Sequence, residues 1–192
     1  MAEKKKLPST FLNMMVVLTL VCVVSALALG FTYSQTKDAI AQGKINKVLA
    51  ALKDVLPEFD NNPYEEKRTS GEFPGLVFYP ASLGGEPVGT AVETFSSEGF
   101  GGDIRLMVGF TRDLQIKAIS VLGQTETPGL GTKMESPSFL RQFADKDPAV
   151  FKTTVKKDGG DVDAITAATI SSRAFCDGLN KALKALKQEA AR

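Results

Sequence analysis

Four hydroxyl side chains in the segment DVDAITAATISSRAF, residues 161–175, are the best candidates for chemistry in this chain: Thr166, Thr169, Ser171 and Ser172. An apolar pattern with helical period follows them, so they lie at the start of a predicted C-terminal helix. The first N–H groups of a helix lack intrahelical acceptors, and the helix dipole adds about half a positive charge there. A phosphate is favoured at such a place, and Ala167 and Ala168 leave room for a bulky ligand. On the residues alone, an ordinary helix cap by Thr166 or Thr169 is the favoured interpretation.

The composition argues against several other kinds of functional site. The chain of 192 residues has no histidine, which is the usual proton shuttle and the commonest metal ligand. Its two cysteines, Cys22 and Cys176, are far apart, so we predict neither a metal or redox CxxC pair nor a disulfide. Cys176 is expected to be a buried core residue. The net charge is +1 and the basic residues form no stripe along the sequence, so nucleic acid is not a predicted partner. We predict no metal site and no catalytic side chain.

The N-terminal region predicts a membrane anchor. Residues 7–36 contain no charged side chain, and residues 11–33 are apolar almost throughout. About 20 helical residues cross a ~30 Å hydrocarbon core, so this segment is long enough to span a membrane. The lysines at 4–6 place the N-terminus in the cytoplasm by the positive-inside rule, and the remaining chain on the opposite side. A cleaved signal peptide, with residues 26–28 resembling a cleavage site, is the alternative.

The rest of the chain predicts a small α+β domain. Apolar residues recur at helical spacing over 45–56, where Pro57 ends the pattern, and residues 57–72 are polar and linker-like. Alternation predicts antiparallel strands at 75–80, 87–95, 103–111 and 116–124, with a further strand at 149–155. Short helical patterns predict a helix at 137–144, capped by Ser136 or Ser138, and an amphipathic C-terminal helix. We expect a cytoplasmic tail and anchor at 1–34, a juxtamembrane helix and linker at 35–72, and a globular domain at 73–192.

The segment DAITAAT, residues 163–169, resembles the Asp-x-x-(Ser/Thr)-Gly-Ala-Thr signature of covalently flavinylated bacterial subunits. These are the G subunit of the Rnf ferredoxin:NAD oxidoreductase and the C subunit of the sodium-pumping NADH:quinone reductase. The resemblance implies that a flavin transferase links FMN through its phosphate to the hydroxyl of Thr169. Asp163, Thr166 and Ala168 also match the signature. Ala167 stands where the family has glycine, and it would cost about 1 kcal/mol if that position has positive φ.

A second segment, ETPGLG at residues 126–131, resembles the loop that packs near the flavin in the same family. The Gly-rich segment GFGGDIRLMVGF at 99–110 also matches the family pattern, and the chain length fits the Rnf protein better than its counterpart. The resemblance implies a set of residues near the phosphate, namely Thr166, Ser171 and Ser172. It implies a second set against the isoalloxazine ring, namely Glu126, Thr127, Pro128, Gly129 and Leu130.

The resemblance implies a function for the whole protein. It would be a single-pass flavoprotein subunit of the bacterial inner membrane with a periplasmic domain, relaying electrons from reduced ferredoxin towards NAD. Sodium or proton movement would be coupled to this transfer by the other membrane and peripheral subunits. The alternatives are a C-type subunit of the sodium-translocating NADH:quinone reductase and a non-redox exported FMN-binding sensor or scaffold. A hydrolase with Ser171 or Thr169 as nucleophile would need Lys133 or Lys156 as base, and no spacing supports it.

Overall fold

The structure is a computed structural model that describes residues 10–190. The lysines at 4–6, on which the predicted orientation in the membrane rests, lie outside the described residues. The chain divides into two compact units, Met1–Ile45 and Asn46–Arg192. The second unit contains the sheet and the predicted site.

The first long element is helix α1, Phe11–Val55, which includes both helical segments predicted from the sequence. The most apolar stretch of 18 residues in this helix has a mean hydropathy of 2.6 and is not buried against any described residue. By length and composition this helix is able to cross a membrane. The helix ends where Leu56 N–H donates to Leu52 O at 3.1 Å and Pro57, which has no N–H, follows.

The second unit is built on a five-stranded antiparallel sheet in which every strand pairs with its neighbours in sequence. The strands are β1 Arg68–Thr69, β2 Val77–Leu83, β3 Glu86–Ser96, β4 Ile104–Thr111 and β5 Ile116–Gly123. The four strands predicted between residues 75 and 124 are confirmed, and β1 is an additional short edge strand. Gly84 and Gly85 both have positive φ between β2 and β3, as a two-residue hairpin turn requires.

Apolar side chains cover both faces of this sheet. One face, including Val92, Leu106 and Phe110, forms the larger core with the C-terminal helix α3, Thr169–Ala190. The opposite face packs against residues 51–56 at the end of α1. Successive side chains of a strand point to opposite faces, which explains how one strand supplies both cores. The predicted α+β class and C-terminal helix are confirmed, and the first turn of α3 lies at the edge of the larger core.

The predicted strand at 149–155 is wrong. Val150 and Phe151 N–H both donate to Asp147 O in a turn, and Val150 is 81% exposed. Only Val155 makes a bridge, a single parallel one with Val162. The alternation that predicted a strand arises because Phe151, Thr153 and Val155 pack inward from an irregular loop.

The predicted helix at 137–144 is shorter than expected. Helix α2 spans Pro137–Leu140 and follows a 3₁₀ helix at Gly131–Glu135. The prediction that a serine side chain, of Ser136 or Ser138, caps this helix is wrong. The Ser136 side chain makes no capping bond, and its Oγ instead donates to Lys133 O at 2.6 Å. These two short helices connect the 126–131 loop to the core through Met134 and Phe139, both buried.

Candidate functional site

The start of α3 opens onto a cavity of about 360 Å³. Three separate segments line it: the Gly-rich loop after β3, the loop after β5 and the first turn of α3. The lining residues are Phe100, Glu126, Thr127, Leu130, Gly131, Ala167, Ala168, Thr169, Ile170 and Ser171. The two segments singled out in the sequence, which are about 40 residues apart, therefore meet in one cavity.

Two tight turns of the same kind border the cavity. In the first, Leu130 N–H donates to Thr127 O at 3.1 Å, with Pro128 second and Gly129 third at φ +77°. This is the pattern of a type II turn, in which proline fits the second place and glycine the third. Pro128 and Gly129 thus shape the loop and do not line the cavity themselves, whereas Leu130 does.

The second turn leads into α3 and contains Ala167. Ala168 N–H donates to Ile165 O at 3.0 Å, and Ala167 is third in the turn with φ +62°. The family glycine thus falls at a position with left-handed backbone, where a β-carbon is unfavourable by about 1–2 kcal/mol. The turn forms nevertheless, and it presents Thr169 to the cavity.

Replacing Ala167 by glycine is expected to stabilise the protein. The relieved strain of about 1–2 kcal/mol is partly offset by about 0.4–1 kcal/mol of extra freedom in the unfolded chain. The net gain lies between about 0 and 1.6 kcal/mol and is centred at about 0.8 kcal/mol, which corresponds to a rise in melting temperature of roughly 2–3 °C for a domain of this size. Circular dichroism of the full chain in mild detergent measures this. Ala168→Gly, next to it but without positive φ, should lower the melting temperature; equal destabilisation by both changes would contradict the strained turn.

The four hydroxyls at the start of α3 have different surroundings. The Ser172 Oγ donates to Ala168 O at 3.0 Å, accepts from Ile165 N–H at 2.9 Å, and is fully buried. The Ser171 Oγ donates to Glu126 Oε2 at 2.7 Å. The hydroxyls of Thr166 and Thr169 make no hydrogen bond to any described residue. Among these four residues, Thr169 alone combines an unpaired hydroxyl with a place in the lining of this cavity.

Glu126 joins the three segments of the site. Its Oε2 accepts from Ser171 Oγ, and its Oε1 accepts from Gly101 N–H at 3.2 Å. The side chain is only 5% exposed, so the carboxylate is occupied by these bonds. A β-carbon at Gly131 would lie 2.5 Å from Glu126 Oε2 and 2.8 Å from Ser171 Oγ, so only glycine leaves room for the pair. Glu126 therefore positions the loops and the helix relative to each other.

The beginning of α3 retains free hydrogen-bond donors. Among residues 10–190, no acceptor is present for the backbone N–H groups of Thr169, Ile170 and Ser171. These donors and the positive end of the helix dipole favour an anion beside Thr169.

Two of the predicted phosphate residues and Asp163 lie away from this cavity. Thr166 is exposed and lines a neighbouring cavity of about 300 Å³. Asp163 lines the same neighbouring cavity and forms an exposed ion pair with Lys156 at 2.8 Å. Ser172 faces the core, as described above. In contrast, Phe100 and Ile170 line the cavity of Thr169, although the sequence predicted no role for either side chain.

On another side of α3, a cavity of about 570 Å³ is bordered by Cys176, Arg173 and Asp158. Arg173 donates two hydrogen bonds of 2.7 Å to Asp158, which raises the pKa of the guanidinium and lowers that of the carboxyl. Burial, assisted by the charge of Asp158, raises the pKa of the Cys176 thiol to about 12. The thiol is 3% exposed and is therefore protonated and shielded at neutral pH.

Cys176 is expected to be inert in the folded protein. The pKa of the Cys176 thiol in the folded protein lies above the unfolded value of about 8.5. The stability that comes from burying the neutral thiol is therefore fully present below about pH 8.5 and is lost as the pH rises towards the folded-state pKa. In a Cys22→Ser background, maleimide labelling at pH 8 should be much slower in buffer than in denaturant. Rapid labelling of the folded protein would contradict the buried thiol.

The residues that line this cavity all lie within a segment that matches a known domain family. The family model described as FMN-binding domain matches residues 99–184, which include the loops and the helix around Thr169.

The relatives identify the family more closely, and the chain belongs to the G subunits of ion-translocating oxidoreductase complexes. It is 32% identical over 184 residues to the G subunit of Aliivibrio fischeri strain ES114, covering 87% of this chain and 86% of that protein. It is 32% identical over 187 residues to the G subunit of Methanosarcina acetivorans, covering 95% and 96%. The resemblance stated from the sequence motifs is confirmed. A crystal structure of Shewanella oneidensis NqrC is also similar, with a TM-score of 0.43, 23% identity and coverage of 56% of this chain and 52% of that one.

Proposed function

We propose that this chain is a membrane-anchored electron-transfer subunit of an ion-translocating oxidoreductase complex, with FMN attached covalently to Thr169. The family membership and the FMN-binding domain support the subunit role and the cofactor. One observation carries the attachment site: Thr169 has the only unpaired hydroxyl, among the four at the start of α3, that lines the cavity formed by the two motif loops.

The residues around Thr169 fit an FMN phosphate. The unpaired N–H groups of residues 169–171 supply donors, and the exposed turn at Ala167 leaves the approach open. The phosphoester forms when the Thr169 oxygen bonds to the flavin-side phosphorus of a flavin dinucleotide supplied by a flavin transferase. The phosphoanhydride bond breaks, the nucleoside monophosphate leaves, and the hydroxyl proton passes to solvent. The net mass gain is that of FMN less one water. The Glu126–Ser171 bond holds the helix start at the loop while leaving the Thr169 hydroxyl free.

The flavin, when bound, accepts and donates electrons, and the protein supplies position and surroundings. The proposed contact of Thr127 and Leu130 with the ring is supported by their place in the lining of the cavity, and Pro128 and Gly129 form the turn between them. No side-chain base is needed for electron transfer, which agrees with the absence of histidine from the chain. A covalent bond keeps the cofactor from being lost on the extracytoplasmic side, where we place this domain.

We further propose that α1 anchors the chain in the bacterial inner membrane, with the N-terminus cytoplasmic and the second unit periplasmic. The partners are the other membrane and peripheral subunits, and the electrons pass from reduced ferredoxin towards NAD. Movement of sodium or protons is coupled to this transfer by those other subunits.

Membranes of the source organism test the relay. Ferredoxin-dependent NAD reduction is compared between cells that carry the native chain and cells that carry Thr169→Val. The variant should lose most of the activity while remaining in the membrane at normal amount, and Thr166→Val should keep it. Unchanged activity in the flavin-free variant would favour the non-redox sensor or scaffold alternative.

A further inference from the structure

Phe100 is an aromatic side chain that the fold holds out of the core. It is 71% exposed, although burying such a side chain would usually stabilise a domain substantially. It lies between Gly99 and Gly101 in the loop that follows β3. Single exposed apolar side chains are common and need no explanation. Phe100 differs because hydrogen bonds fix the loop that carries it and because other exposed apolar side chains lie beside it.

The loop that carries Phe100 is fixed on both sides. Gly101 N–H donates to Glu126 Oε1 at 3.2 Å, and Thr125 Oγ1 donates to Gly101 O at 2.8 Å. A β-carbon at Gly99 would lie 2.1 Å from Gly102 O, and one at Gly101 would lie 2.0 Å from Thr125 O. The backbone is therefore packed too closely for larger residues at either glycine. Phe100 projects from a loop that hydrogen bonds and close packing hold in one position.

Phe100 lines the same cavity as Thr169, and it has apolar neighbours there. Six large apolar side chains are exposed among residues 46–190, namely Leu49, Leu83, Phe100, Leu130, Val150 and Ile170. Three of these six, Phe100, Leu130 and Ile170, line this one cavity. The exposed apolar surface of the described unit is thus concentrated around the hydroxyl that we assign to the phosphate.

One carboxylate connects Phe100 with Thr169. Glu126 binds Gly101, the residue after Phe100, through one oxygen, and Ser171, two residues after Thr169, through the other. The distance between the aromatic side chain and the attachment site is therefore set by a buried side chain and not by two independent loops. Such an arrangement suits a ligand that is attached at Thr169 through one end and packs against Phe100 with the other.

We propose that Phe100 packs against the isoalloxazine ring of the FMN attached at Thr169, with Leu130 and Ile170 completing an apolar rim. This inference rests on the proposed function, because the ring reaches Phe100 only if the flavin is anchored in this cavity. Phe100 is a positioning residue: it limits the motion of the ring and its contact with water. Aromatic pairs prefer stacked or edge-to-face contact, so the energy of one such pair changes the ratio of docked to undocked ring by roughly two- to tenfold.

The test uses the full chain, co-produced with a flavin transferase and held in nanodiscs, with all signals expressed per bound flavin. Iodide quenching and fluorescence anisotropy of the flavin are measured for the native protein, Phe100→Ala, Phe100→Tyr and Val150→Ala. Phe100→Ala should raise the quenching constant roughly two- to tenfold and lower the anisotropy. Phe100→Tyr should restore native values. Val150→Ala, which truncates an exposed apolar residue outside the cavity, should change neither.

The outcomes separate this inference from the proposed function. Covalent flavin in the native protein, with unchanged quenching and anisotropy in Phe100→Ala, would overturn the role of Phe100 and leave the proposed function intact. Absence of covalent flavin from the native protein, despite an active transferase, would overturn both. If Phe100→Ala does not accumulate as folded protein, Phe100→Leu and Phe100→Ser give the same comparison, and native-like values in both would again overturn the role.

Discussion

Thr169→Val is expected to abolish covalent flavin attachment without unfolding the protein. Valine has nearly the shape of threonine but no hydroxyl, so no phosphoester is possible at this position. The native hydroxyl makes no hydrogen bond to a described residue, and the side chain is only half-buried, so its loss should change stability by less than about 1 kcal/mol. In-gel flavin fluorescence of the denatured protein, after co-production with a flavin transferase, measures the result.

Thr166→Val is the matched control for this experiment. Thr166 also has an unpaired hydroxyl and lies three residues earlier, but it lines the neighbouring cavity. It should therefore retain native fluorescence. A fluorescent Thr169→Val band would show that the attachment site is assigned to the wrong residue. A dark Thr166→Val band would contradict the conclusion that Thr166 lies apart from the site.

Glu126→Ala is expected to cause the largest loss of stability among the changes considered in the site. It removes both acceptors of a 5% exposed carboxylate and leaves the Ser171 hydroxyl and the Gly101 N–H without their partner. Unsatisfied buried donors cost about 1–3 kcal/mol each, and entry of water reduces the sum, so we expect about 2–4 kcal/mol. The melting temperature should fall by roughly 4–16 °C, as measured by circular dichroism in detergent.

Two further variants define the source of that loss. Glu126→Gln keeps one carbonyl acceptor and should fall between native and Glu126→Ala. Glu86→Ala, a change of an exposed glutamate at the start of β3, should shift the melting temperature very little. If Glu126→Ala proved as harmless as Glu86→Ala, the bridge between the loops and α3 would not exist in solution.

The parts of the site that local sequence determines could be predicted. Pro128 and Gly129 are typical of one turn type, and that turn is present with Gly129 at positive φ. The start of α3 followed from the apolar spacing of residues 175–186, which is a property of the helix itself. Strands β2 to β5 followed from alternation and the glycine turn between β2 and β3. The wrong strand at 149–155 had the same alternation, but its backbone bonds are made within a loop around Asp147.

The parts that long-range contacts determine could not be predicted. Adjacent serines point in different directions from a helix, about 100° apart, so their roles depend on where the helix begins. With α3 beginning at Thr169, Ser172 faces the core and Ser171 faces Glu126, which is 45 residues away in sequence. The exposure of Phe100 depends likewise on the contact of Gly101 with the Thr125 carbonyl. From the sequence alone, the aromatic residue is equally compatible with a place in the core.

Localisation of the flavin on the peptide chain tests the central claim most directly. Cleavage after Lys157 and Arg173 releases residues 158–173, which contain Thr166, Thr169, Ser171 and Ser172 together. Fragmentation of this peptide by electron transfer, after co-production with a flavin transferase, assigns any added mass to one side chain. We predict an addition of FMN less one water on Thr169. An unmodified peptide, or the same addition on Thr166, Ser171 or Ser172, would contradict the assignment.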